Sequence, residues 1–278
     1  MTKTSTSMRT FIFLFFSLVF APLIGNTSGS NEKPIVIVIP SHNNKDWYRR
    51  NLDSVFNQNY KNYRIIYLDD ASTDGTGKLV QAYVKEQRQE MRVKVFLNEK
   101  RVGALANTFK ACWLCNSNEI VAILDGDDWF SNEHVLEKLN NIYADPNVWV
   151  TYGQFVYYPC KTPGWAAQVP DDIIERNAFR EYPWVTTALR TFYAGLFHKI
   201  KKKDLLYQGQ FFMMAGDLAY MWPIVEMAGK HSRFIPEVLY VYNVDTGIND
   251  IIKNPETQKK LGFIIRERER YTPIDKPY

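Results

Sequence analysis

Ile120-Val121-Ala122-Ile123-Leu124-Asp125-Gly126-Asp127-Asp128-Trp129 is an apolar run that ends in a cluster of aspartates. A second run, Ile65-Ile66-Tyr67-Leu68, ends the same way in Asp69-Asp70. Near-continuous apolar strands are buried on both faces, as in a parallel sheet. In an open α/β sheet the ligand crevice lies at the carboxyl ends of the strands, so both acidic groups are expected there. Carboxylates gathered in one place repel one another unless a cation or a donor-rich ligand sits between them. Hard oxygen donors of this type suit Mg²⁺ or Mn²⁺, usually shared with substrate phosphates. The stretch therefore predicts a divalent-metal site for a phosphorylated ligand. The competing reading is a solvated acidic turn with one aspartate capping the next helix, which accounts for one carboxylate and leaves the others unexplained.

Outward from this stretch, strand and helix patterns alternate: strand 35–39, helix 47–58, strand 64–68, helix 77–88, strand 93–97, helix 104–115, strand 119–124, helix 132–143 and strand 148–155. That alternation is the βαβ signature. The 278 residues are 46% apolar, 23% charged and 15% aromatic, which fits one large domain with a substantial core. A net charge of +4 is too small to point to nucleic acid, though it helps attract an anionic ligand. Residues 157–170 carry three prolines, a glycine and a tryptophan and read as a long loop or flap.

The N-terminus has its own texture. Lys3 and Arg9 precede a run over 11–25 that is apolar apart from Ser17, and small polar residues follow at 26–30. This is the layout of a secretory signal peptide, with Ser28 and Ser30 as small residues before a cut. The run is short of the roughly 20 apolar residues that a bilayer span needs. A short signal-anchor, with membrane association through residues 11–25, is the alternative. Residues 1–30 are thus expected to be leader or anchor and 31–278 the folded domain, in the secretory pathway, secreted or membrane-anchored.

The order of the motifs narrows the function. Pro40-Ser41-His42-Asn43 closes the first apolar run, Asn51 to Gln58 follows, and Tyr67-Leu68-Asp69-Asp70-Ala71-Ser72-Thr73-Asp74-Gly75-Thr76 comes next. Asn98 to Asn107, with Gly103 inside it, precedes the Asp125 cluster. Together these resemble glycosyltransferase family 2, the inverting sugar-nucleotide transferases of GT-A fold, over about residues 33–242. The resemblance implies an α/β GT-A fold, a mostly parallel sheet flanked by helices, with a nucleotide-binding half at 31–155 and a variable acceptor half at 156–278. It implies a nucleotide-sugar donor, expected to be UDP-linked, a divalent cation (Mn²⁺ or Mg²⁺), and a glycan, lipid or protein acceptor.

Residue by residue, Asp70 matches the family aspartate that hydrogen-bonds the nucleotide base, with Asp69 before it. The same segment is also good turn and N-cap chemistry. Pro40, Ser41 and His42 sit where the first strand meets the nucleoside, and His42 reads equally as a loop histidine. Asp125 and Asp127 form the D-x-D motif with Asp128 adjacent. The resemblance makes Asp125 and Asp127 donor contacts, and Asp127 and Asp128 the metal ligands. Gly126 lets backbone and ligand approach closely. Inverting transfer needs a base for the acceptor hydroxyl, which the family takes from a Glu-Asp pair at a helix start. Ala215-Gly216-Asp217-Leu218 occupies that place, so Asp217 is the expected base, and equally a good N-cap for a helix over 218–228. Gly216 replaces the family's Glu, Pro223 is expected to interrupt the helix, and Glu226 or Asp171 is next in line as base.

Where the family commonly has arginine this chain has Ala106. Arg101 and Lys100 are cationic contacts for the diphosphate or plain surface charges. Trp165, Trp184 and Tyr182 are candidates for sugar stacking, against core packing as the bland reading. Cys112-Trp113-Leu114-Cys115 lies in an apolar helix pattern and reads as buried free thiols. Lys199, Lys201, Lys202 and Lys203 form a basic patch, either a solvated face or a membrane or acceptor-phosphate contact. Residues 266–270 read as an exposed helix end. Single-sugar transfer is expected, because the processive Gln-x-x-Arg-Trp motif is absent. Two rivals stand beside this reading. A sugar-phosphate nucleotidyltransferase would carry a glycine-rich, cationic loop after the first strand, which Pro40-Ser41-His42-Asn43 is not. A non-catalytic GT-A-like module binding nucleotide or glycan would turn Asp217 away from the cleft.

Overall fold

The computed structural model describes residues 32–247 and 254–278. The leader expected at 1–30, with its apolar run at 11–25, lies outside the described residues. The strands are β1 (Ile35–Ser41), β2 (Tyr63–Asp69), β3 (Val93–Leu97), β4 (Ile120–Ile123), β5 (Trp129–Phe130), β6 (Val150–Tyr158), β7 (Arg190–Tyr193), β8 (Leu206–Tyr207), β9 (Gln210–Phe211) and β10 (Ser232–Asn243). Eight of them form one sheet in the order β3-β2-β1-β4-β7-β6-β10-β5, and β8 pairs with β9 in a hairpin. The helices are α1 (Tyr48–Phe56), α2 (Thr76–Glu86), α3 (Ala104–Cys112), α4 (Val135–Tyr143), α5 (Asp171–Glu175), α6 (Ala194–His198), α7 (Gly216–Ala228) and α8 (Pro255–Arg266).

All seven residues of β1 are buried, as expected of a central parallel strand covered on both faces. β1 runs parallel to β2 and to β4, and Ser41 lies opposite Asp69, so β1 and β2 end together. β7 then enters antiparallel beside β4, with Ile123 opposite Arg190. One sheet runs through both expected halves: residue 155 falls inside β6, and β7 of the second half sits between β4 and β6. One sheet is shared, because β6 lacks a first-half neighbour and is paired by β7 and β10.

Local chemistry moves several expected boundaries. α3 stops at Cys112 because Leu114 N bonds Ala111 O (3.0 Å) and Cys115 N bonds Cys112 O (3.1 Å), tightening the last turn into i→i+3 bonds. α4 begins at Val135 because the Asn132 side chain accepts from His134 N at 2.9 Å and makes a turn of 132–134. α7 starts at Gly216, so Asp217 lies in its first turn and is not the N-cap; that place belongs to Ala215, in the left-handed region at φ 55°. Pro223 does not interrupt α7 either. Every residue from Ala219 to Ala228 is buried, and that packing carries the helix past the missing N–H.

α8 ends at Arg266 and residues 267, 269 and 270 are exposed, as expected, but Arg266 and Arg268 turn inward. Arg266 donates to the carbonyls of Arg180 and Tyr182, and Arg268 donates to Lys203 O and Leu206 O. Inside this clasp the Arg180 guanidinium meets Glu226 through two bonds of 2.5 and 2.8 Å, both side chains buried. Cys112 and Cys115 are buried free thiols, with burial pushing Cys115 up to about 12.

Candidate active site

The carboxyl ends of β1, β2 and β4 open into a cleft of about 560 Å³ whose walls include Pro40, Ser41, His42, Asp70, Arg101, Asp125, Asp127, Asp128 and Asp217. Asp69, expected beside Asp70, is not on these walls. It is buried, and its Oδ2 accepts from Ser72 N at 3.1 Å within the turn that follows β2. Ser41 is held from behind, accepting from the Tyr67 hydroxyl at 2.7 Å and from Asn44 Nδ2 at 3.0 Å. Gly126 is required by a close approach within the protein. Its N–H bonds Pro40 O at 3.0 Å, and a Cβ there would lie 2.5 Å from the Ser41 side chain.

Asp70 organises one wall. Its Oδ1 accepts from Val102 N at 2.9 Å and Asn98 Nδ2 at 3.0 Å, and its Oδ2 accepts from Gly103 N at 2.8 Å. Asn98 also donates to Asn107 Oδ1 at 2.8 Å, which explains why both ends of the Asn98–Asn107 motif are asparagine. Burial pushes the Asp70 carboxyl up, but the donors from Val102, Asn98, Asn107 and Gly103 outweigh it and hold the group below its ordinary value. Asp70 thus staples the loop that carries the exposed Arg101, and Oδ2 keeps a lone pair for a further donor. His42 packs on the same junction, its Nδ1 2.9 Å from Asp70 O.

The acidic cluster is held by side chains from two directions. Asn51 of α1 donates to Asp125 O (2.9 Å) and Asp128 O (2.7 Å), fixing the turn. Asp128 is buried; Oδ2 accepts from the Tyr240 hydroxyl at 2.5 Å and Oδ1 from Asn243 N at 2.7 Å, both on β10. Burial, then the neighbouring Asp127 and Asp125, push its carboxyl well above the ordinary range. Asp125 is 36% exposed, and its Oδ2 lies 3.4 Å from both Arg190 Nη2 and the Tyr240 hydroxyl. Asp127 is half-buried on the cleft wall. Among the described residues no three His, Cys, Asp or Glu side chains are grouped to hold an ion by themselves. A cation here needs further oxygens from its ligand, and one or two carboxylates beside a diphosphate is the donor set that such a shared cation takes.

Arg190 is the residue that sequence reading missed. Its Nη1 donates to Asp217 Oδ2 at 2.9 Å while Nη2 faces Asp125, so one guanidinium joins the aspartate cluster to the expected base. The side chain is 8% exposed, and its pKa is raised by the surrounding tyrosine and aspartate oxygens, which overcome burial. The signal was an arginine inside the apolar segment Leu189-Arg190-Thr191-Phe192, since a buried charge demands a partner. Gly216 also has a reason: a Cβ would sit 2.9 Å from Leu105 Cβ of α3, so the family's Glu has no room.

The remaining candidates separate. Trp165, 46% exposed, stands on the cleft wall with its edge against Phe155 at 5.1 Å. Trp184 and Tyr182 are not on that wall. Trp184 packs edge-on against Trp222 of α7 at 5.5 Å, and both Trp184 and Tyr182 are partly buried against the core. Glu226 is taken by Arg180 and is excluded as a base, and Asp171 is off the cleft on α5.

The family model of glycosyl transferase family 2 matches residues 36–214. The chain belongs to that family. Among curated relatives it is similar to Glycosyltransferase GlyA of Streptococcus pneumoniae, 24% identical over 227 residues, covering 78% of this chain and 31% of that protein. The chain thus spans about a third of that relative's length. Among solved structures it is similar to residues 1–349 of S. aureus TarS in complex with UDP-GlcNAc, with a TM-score of 0.60, 16% identity and coverage of 84% of this chain and 65% of that one. It is likewise similar to the mannosyltransferase PcManGT of Pyrobaculum calidifontis in complex with GDP-Man and Mn²⁺, at TM-score 0.59, 19% identity and 86% and 66% coverage. These likenesses establish the GT-A fold. The family match ends three residues before Asp217.

Proposed function

We propose that this chain is a glycosyltransferase that moves one sugar from a nucleotide-sugar donor, UDP-linked, to an acceptor hydroxyl with inversion at the anomeric carbon. The observation that carries this reading is that Asp217 and the Asp125–Asp127 motif, distant in sequence, open into one cleft and share Arg190. A binding module without chemistry would have no need to hold a carboxylate there.

The chain's residues divide the work. Arg190 takes Asp217 Oδ2 and leaves Oδ1 to receive a proton. As the acceptor oxygen attacks the anomeric carbon, its proton passes to Asp217 while the bond from that carbon to the diphosphate breaks and the nucleoside diphosphate leaves. Asp70 and His42 shape the nucleoside end, Asp125 contacts the donor sugar, and Arg101 faces the diphosphate from its loop. Asp127, with the lone pairs left on Asp128, would hold Mn²⁺ or Mg²⁺ together with diphosphate oxygens. When bound, that cation neutralises charge on the leaving group. Trp165 offers a ring face for an acceptor sugar.

The test is a panel of sugar nucleotides incubated with purified protein, Mn²⁺ and simple glycoside acceptors, following nucleoside diphosphate release. Release of UDP from one UDP-sugar is expected. Release from none of the donors, with UDP still bound, would favour the binding module.

A further inference from the structure

The lysines after α6 belong to a larger face. Lys202 lies over the rings of Phe109 and Phe211, 5.6 and 5.8 Å from their centroids. Lys110 lies 4.5 Å over Phe96 on the edge strand β3, with Lys94 5.1 Å from the same ring. Phe109 meets Trp113 at 5.9 Å and Phe211 at 5.1 Å, and Trp113 stacks on His198 at 4.9 Å. These contacts join α3, β3, the end of α6 and the β8–β9 hairpin into one continuous surface.

That surface is both apolar and cationic. Trp113 and Leu114 are 52% and 45% exposed. Lys94, Lys110, Lys199, Lys201, Lys202 and Lys203 are all exposed. Carboxylates close by are already occupied: Glu119, under Leu114, by Arg64, and Asp204, in the lysine turn, by Arg268 and Tyr271. Indole rings favour the headgroup level of a bilayer, lysine stems lie along apolar surface with their ammonium groups outward, and each lysine near an anionic leaflet adds attraction. A phosphate strand would satisfy the lysines but gain nothing from Leu114, whereas a lipid boundary takes both. The hairpin also connects this face to the cleft, since Phe211 is two residues from Met213, a half-exposed residue of the cleft wall.

We propose that this face docks on an anionic lipid surface and sets the mouth of the cleft beside it, so that an acceptor hydroxyl carried by a membrane lipid comes within reach. The docking stands on the surface chemistry alone; only the purpose of the placement rests on the transferase reading. Full-length protein is co-sedimented with phosphatidylcholine vesicles with and without phosphatidylglycerol. Wild type is compared with Lys110→Glu/Lys202→Glu, with Trp113→Ala, and with Lys78→Glu/Lys85→Glu, which makes the same charge change on the exposed side of α2, the helix that packs against α1. Binding only to phosphatidylglycerol vesicles is expected, weakened roughly tenfold or more by the first pair, measurably by Trp113→Ala and little by the control pair. Melting temperatures, expected to be unchanged by the lysine pairs and slightly lowered by Trp113→Ala, whose ring leaves Phe109 and His198, report the fold. Absence of wild-type binding, or equal binding by the two double variants, would overturn the proposal. Loss of sugar transfer with vesicle binding intact would instead count against the transferase reading.

Discussion

Asp217→Asn separates chemistry from fold, and the geometry sets both magnitudes. The amide oxygen of Asn can replace Oδ2 as acceptor for Arg190 Nη1, now at 2.9 Å. What is lost is the charge on that bond. Charge-assisted bonds contribute about 1.5–3 kcal/mol and neutral ones about 0.5–1.5, a difference of about 1 kcal/mol. The larger penalty of a stranded buried guanidinium, about 3–5 kcal/mol, is avoided because Asp125 stays beside Nη2. Since Ala215 and not Asp217 is the N-cap, no capping bond disappears. A loss of about 1 kcal/mol lowers Tm by about 2–4 °C in a domain of this size. Turnover should fall by about 10²–10⁴, the usual contribution of a general base. UDP affinity by calorimetry, Tm by scanning calorimetry and turnover by UDP release are measured on the same preparation. Near-normal turnover would place the base elsewhere. A collapse of Tm with no binding would show that Asp217 serves the fold through Arg190.

Three further outcomes are expected. UDP should bind much more weakly in the presence of a chelator than with Mn²⁺, because Asp125, Asp127 and Asp128 crowd one rim; equal affinities in a titration would refute cation bridging. Asp70→Asn should cost about 1–3 kcal/mol in urea denaturation at neutral pH, by setting an amide against the N–H groups of Val102 and Gly103. Because the Asp70 pKa is lowered from 3.8 on folding, its contribution is present above that value and lost as pH falls through the folded pKa. The variant's stability should therefore decline less than wild type's on acidification, and parallel decline would remove Asp70 from that role. Gly126→Ala, with a Cβ 2.5 Å from the Ser41 side chain, should destabilise by about 1–3 kcal/mol and weaken UDP binding together, where an unchanged Tm would contradict the packing at the β1 end.

The strands and the cleft position were legible because period and burial are local properties. Unbroken apolar runs such as Ile35 to Ile39 and Ile120 to Leu124 admit only a doubly covered sheet, and acidic residues at their ends mark the rim. Asp125, Asp127 and Asp70 were found for that reason. Misread residues had chemistry that depends on distant partners. Glu226 looks like a spare carboxylate until Arg180 is placed against it, and Arg266 and Arg268 look solvated until their guanidinium groups meet the carbonyls of Arg180 and Leu206. Trp184 and Trp165 are equal candidates in sequence, yet one faces Trp222 and the other the cleft.

By itself the sequence determined the strand and helix alternation, the order of the motifs and the placement of an acidic rim, since each follows from residues within a few positions of one another. Only the tertiary structure decided that β7 runs antiparallel beside β4. That pairing sets Arg190 opposite Ile123, two residues from Asp125, and within reach of Asp217 on α7. Its physical basis is a buried guanidinium that must find carboxylates across the sheet, a demand no local pattern records.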